Sequence, residues 1–153
     1  MSAHRDTQHV CCRFGGMLVG IGLGQVQEIN RMVEPTWVPL MEPHLRGVIN
    51  LRGNLVTVID LDTVVRGQPS TTGPKSRTVV VEVGDEVCGI IVDEVGDVVD
   101  VEATKVEPLP SHLPAEQRRW FRGLVQLADE LLLLLDVNAI GLLGSEPAKL
   151  EAR

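Results

Sequence analysis

The chain writes one stretch twice, and that repetition restricts its fold more than any other feature. Gly47 to Val65, GVINLRGNLVTVIDLDTVV, lies without a gap over Gly123 to Gly141, GLVQLADELLLLLDVNAIG, at a shift of 76. Leu51 falls on Leu127, Leu55 on Leu131 and Asp60 on Asp136. A second match sets Gly15 to Ile29 over Gly84 to Val98 at a shift of 69, with Gly20 on Gly89, Ile21 on Ile90 and Val26 on Val95. Two ungapped matches in the same order predict two intertwined half-domains around one core. The seam is expected near 67–76, and the second half carries seven more residues of loop.

The first copy reads as an arriving strand (Gly47–Leu51), a tight turn at Arg52-Gly53-Asn54 and a departing strand (Leu55–Ile59). β-Branched residues in both arms favour a pleated, half-buried surface, and Gly53 supplies the positive φ that a tight hairpin turn needs. Asp60 then opens a helical turn over Leu61–Arg66, stopped by Gly67; its counterpart Asp136 does the same for Val137–Leu143.

Val10–Phe14 and Met17–Ile21 form a first hairpin around Gly15-Gly16, followed by a turn over Gly22–Gln25. Val26, Ile29 and Met32 stand three apart, which predicts a short helix passing into a strand. Prolines at 35, 39 and 43 exclude a regular element there, because each removes a backbone donor and restricts its predecessor. Residues 68–75 are a polar link. Thr78–Val83, Val87–Val92 and Val95–Val101 are β-branched runs, and Ala115–Trp120 is one helical turn after a second Pro-rich loop. Roughly ten short strands with little helix indicate an all-β domain spanning 10–143, with tails at 1–9 and 144–153.

Fourteen Lys+Arg against twenty-one Asp+Glu, no basic run and 3% aromatics argue against nucleic acid or an anionic membrane as partner. The longest apolar run, Leu131–Leu135, is far short of a membrane span, and the N-terminus has no apolar signal core, which predicts a cytoplasmic protein. Cys11, Cys12 and Cys88 read as buried small apolar groups rather than metal ligands or a disulfide framework. Neither a nucleophile elbow nor a phosphate loop is present, and His4, His9, His44 and His112 sit in the tail or in Pro-rich loops. The chain is therefore expected to be no enzyme and to use no cofactor. Arg52 stands out: it lies in an apolar hairpin where the repeat has Ala128. It is either a solvated or carboxylate-paired turn residue or an exposed five-donor contact for a partner.

Val26-Gln27-Glu28-Ile29, Val38-Pro39, Arg46-Gly47-Val48-Ile49-Asn50-Leu51-Arg52-Gly53 and Val58-Ile59-Asp60-Leu61 together resemble the CheW family of bacterial chemotaxis adaptors. Gly89–Val95 and Arg122-Gly123-Leu124 leading into Leu133–Val137 extend the resemblance over about residues 10–143. It implies two five-stranded SH3-like β-barrels and a non-enzymatic coupler. Such a coupler bridges the cytoplasmic tips of methyl-accepting chemoreceptors to the regulatory domain of a CheA-type histidine kinase. Carried over by motif, the receptor side falls on Val26, Glu28, Gly47, Asn50 and Arg52. A CheW-like scaffold of a non-flagellar chemosensory pathway shares all these features. A free-standing ligand- or metal-binding barrel using Cys88 and a histidine is the reading from another class.

Three departures from the family pattern stand out. Val19 replaces a usual aromatic, Cys11-Cys12 replaces bulkier strand residues, and Ala128-Asp129-Glu130 replaces a Gly-containing turn. The first two imply an underfilled first-barrel core unless a neighbour such as Trp37 refills it.

Overall fold

The structure is a computed structural model and describes residues 7–144; the rest of the expected tails lies outside the described residues. In order come β1 (Gln8–Phe14), β2 (Met17–Gly22), a 3-10 turn (Leu23–Gln25), β3 (Val26–Arg31), β4 (Leu45–Leu51), β5 (Asn54–Asp60) and α1 (Leu61–Arg66). Then follow β6 (Arg77–Val83), β7 (Glu86–Val92), β8 (Glu94–Asp100), a 3-10 turn (Ala103–Lys105), α2 (Ala115–Arg118), β9 (Phe121–Gln126), β10 (Leu131–Leu135) and α3 (Val137–Gly144). The all-β expectation holds: there are two five-stranded sheets, ordered β8-β1-β2-β10-β9 and β3-β6-β7-β5-β4.

The two repeats explain these orders. Shifting by 69 takes β1, β2 and β3 to β6, β7 and β8, and shifting by 76 takes β4 and β5 to β9 and β10. The two sheets are then one order with the halves exchanged, each sheet holding two strands from one half and three from the other. The registers obey the same shifts. Leu134 pairs with Gly20 in parallel as Val58 does with Gly89, and Cys12 pairs with Val95 as Val81 does with Val26. The 67–76 link joins α1 to β6 inside the second sheet; the chain changes sheet at the 3-10 turn before β3 and again around Asp93.

Helix starts repeat as well. Asp60 Oδ1 accepts from Thr63 N at 3.3 Å and Asp136 Oδ1 from Ala139 N at 3.1 Å, each satisfying an orphan donor of the first turn. The capping reading of both aspartates is correct. Gly67, at φ 73, closes α1 in the left-handed conformation.

The main core lies between the sheets and includes Phe14, Val19, Ile21, Ile59, Ile90 and Ile140. Each such side chain contributes about 1.5–3 kcal/mol on burial. A smaller cluster, Cys11, Val101, Val125, Leu132 and Leu134, belongs to the first sheet. Beside Cys11 an open pocket of about 240 Å³ is lined by Leu18, Val99 and Leu127 together with the charged Arg13, Glu94, Asp97 and Glu130. Trp37 does not refill this core; it is 66% exposed and belongs to neither cluster.

Two elements differ from the sequence reading. Val26–Arg31 is strand from its first residue: burial alternates strictly along it, and the three-residue apolar spacing arises because Ile29 lies on the exposed face while Glu28 and Asn30 take the covered one. The first strand starts at Gln8, and His9, placed in the tail by its polarity, is buried with polar partners on both ring nitrogens.

Leu40 is left-handed at φ 70 and 94% exposed. A side chain in that region costs about 1–2 kcal/mol that glycine avoids. We expect Leu40→Gly to stabilise the protein by about 1 kcal/mol, read as a higher urea midpoint at unchanged slope. A lower midpoint would show that Leu40 makes contacts outweighing its strain.

Candidate functional site

The β4–β5 hairpin builds the candidate site. Leu51 pairs with Asn54, leaving Arg52 and Gly53 as a two-residue turn, and both have positive φ, 53 and 87. Two positive φ values define the mirror-image turn that suits strand twist, and its first position favours Asn, Asp or Gly. Arginine there is strained. Asn50 supports the turn, since its Oδ1 accepts from Gly53 N at 2.8 Å.

From this tip Arg52 Nη2 reaches Glu28 Oε2 at 2.6 Å. β3 and β4 are the opposite ends of the second sheet's order, so the ion pair joins two edges that share no ladder. Glu28 is about one-fifth exposed, and the Arg52 contact first, then Asn30, holds its carboxyl below the ordinary range. Arg52 remains 70% exposed, with guanidinium donors left for solvent or a partner. Arg52 is thus a carboxylate-paired turn residue whose guanidinium is still largely exposed.

Val26 is half-buried and packs against the main core at the start of β3, two residues before Glu28. Gly47 is buried at φ 141 below the 33–38 segment, whose Thr36 exchanges backbone hydrogen bonds with Val48, both at 2.9 Å. Sequence reasoning missed Leu55, which is 75% exposed and pairs with Asn50 beside the turn. Alternation gives no signal for it, because β5 is buried on both faces beyond its tip.

Covalent and metal chemistry find little here. Burial pushes the Cys12 and Cys88 thiols up to about 12 and raises Cys11 as well, so all three stay protonated and weakly nucleophilic at neutral pH. Among the described residues, no group of three His, Cys, Asp or Glu side chains could hold a metal ion, and no helix is long and apolar enough to cross a membrane.

Comparison with known proteins agrees with this architecture. The CheW-like domain model matches residues 8–142. The chain is 32% identical over 125 residues to the chemotaxis protein CheW of Bacillus subtilis, covering 82% of this chain and 80% of that one. It is 32% identical over 127 residues to the chemotaxis protein CheW of Klebsiella aerogenes, covering 83% and 75%. The structure of the scaffolding protein TtCheW from Thermoanaerobacter tengcongensis superposes with a TM-score of 0.79 over 90% of each chain, at 24% identity. With a family model spanning nearly the whole described chain and two relatives at this identity, the protein belongs to the CheW-like domain family.

Proposed function

We propose that this protein is a chemotaxis adaptor that couples methyl-accepting chemoreceptors to a CheA-type histidine kinase through protein contacts, without catalysis. Its place is the cytoplasmic side of a receptor array. The observation that carries the reading is Arg52: strained, exposed and held at one guanidinium nitrogen by Glu28, it suits a partner better than it suits the fold. Val26, Glu28, Gly47, Asn50 and Arg52 form the receptor side, where an apolar edge and one fixed guanidinium receive a helical tip. Thiols that burial keeps protonated fit a scaffold.

Calorimetry with the regulatory domain of the cognate CheA-type kinase tests the coupling role. We expect micromolar or tighter binding that is kept when Arg52 is changed, since Arg52 belongs to the receptor side. Failure to bind any CheA-type regulatory domain would sink the kinase half of the proposal.

A further inference from the structure

His9 occupies a position that the adaptor role does not use. It sits in β1, 3% exposed, with Nδ1 2.9 Å from the carbonyl oxygen of Thr7 and Nε2 2.7 Å from Nη2 of Arg122 in β9. A carbonyl only accepts, so Nδ1 carries the hydrogen; a guanidinium only donates, so Nε2 must be the bare nitrogen. The contact needs a neutral ring. β1 and β9 are not neighbours in the order β8-β1-β2-β10-β9, so the pair spans the sheet above β2 and β10. Gly20 keeps this route open, since a Cβ there would lie 3.4 Å from His9 Cβ and 3.2 Å from Leu134 Cδ2.

The repeat shows that this is a departure. Arg122 corresponds to Arg46, which grips the cap carboxylate Asp60 at 3.0 Å and also Glu34. His9 corresponds to Thr78, which cannot titrate. In the second copy the arginine has gone to an imidazole. The charged groups facing that imidazole are Arg122 from β9 and Asp100 from β8, where Asp100 also accepts from the Thr7 hydroxyl; the β2 and β10 residues beside it, Gly20, Gly22, Leu132 and Leu134, carry no charge.

We propose that His9 is a pH-operated clamp: neutral, it holds Arg122 and ties β1 to β9 across the first sheet; protonated, it releases Arg122 and turns to Asp100. Burial first, and the Arg122 charge, hold His9 below its ordinary value of 6.5 against the opposing pull of Thr7 and Asp100. The unfolded chain therefore takes up the proton first. The stability that the clamp contributes is present above 6.5 and declines as pH falls through that value toward the folded group's own titration.

NMR on the whole chain tests the clamp. At about pH 7.5 the ring should be neutral with hydrogen on Nδ1, and toward about pH 5.5 it should titrate below 6.5. As it charges, amide protection across Phe121–Gln126 should fall by roughly tenfold after correction for intrinsic exchange. Arg122→Gln should move the titration up toward 6.5, and Asp100→Asn should move it further down. A ring already charged at neutral pH, or a β9 whose protection is unchanged while the ring protonates, would overturn the proposal. If Arg122→Gln does not fold, the wild-type and Asp100→Asn series decide alone.

Discussion

Gly47→Ala is expected to destabilise the protein by roughly 3–5 kcal/mol, the range reached when a side chain is forced into a filled, strained position. A Cβ on Gly47 would sit 2.3 Å from the Thr36 carbonyl oxygen and 2.7 Å from its carbon, and both are backbone atoms that no rotamer change can move. At φ 141 the residue also occupies a region that side chains avoid. To relieve the overlap, the 33–38 segment must lift from β4 and give up both Thr36–Val48 hydrogen bonds. Gly16 is the internal control: its φ is 80, yet nothing lies within 4 Å of a Cβ there. Gly16→Ala carries the backbone strain alone, about 1–2 kcal/mol. Urea unfolding of the two variants separates strain from overlap, and equal losses would show that the loop moves aside freely. A coupling defect in Gly47→Ala would trace to the displaced loop, because the native glycine has no side chain that a partner could lose.

The fold was legible wherever both copies spoke together. Asp60 and Asp136 announced two helix starts, and the paired glycines announced two hairpins, because caps and tight turns are local chemistry tied to particular residues. The exchange of strands between sheets was not legible in the same way. It rests on parallel pairings between strands distant in sequence: Val58 with Gly89, and Leu134 with Gly20 more than a hundred residues away. β3 reads as helix from sequence because apolar Ile29 lies on its exposed face and polar Glu28 and Asn30 on the covered one, so the strand's alternation does not show in residue type. At the site, Arg52 was singled out by its contrast with Ala128, but its pairing with Glu28 needs the second sheet to bring its two ends together. Leu55 and His9 were missed for opposite reasons. An apolar residue at a strand tip looks like core, and a histidine near the N-terminus looks like tail.

Arg52→Glu is expected to leave the melting temperature nearly unchanged while weakening receptor coupling on the order of 10- to 100-fold. The small effect on folding follows from position: the side chain is 70% exposed, and glutamate is no worse suited to φ 53 than arginine. The large effect on coupling follows from charge, since reversal replaces a donor fork with an acceptor and sets it beside Glu28. One competing account is that Arg52 acts only by holding β3 to the hairpin. The exchanged pair, Glu28→Arg with Arg52→Glu, decides between them. It restores opposite charges across the same gap but puts the guanidinium at the base and the carboxylate at the tip. Recovery of coupling in the exchanged protein, measured as receptor-dependent kinase activation, would make the ion pair a structural tie. Continued loss, with a normal melting temperature, would assign the contact to the exposed guanidinium itself.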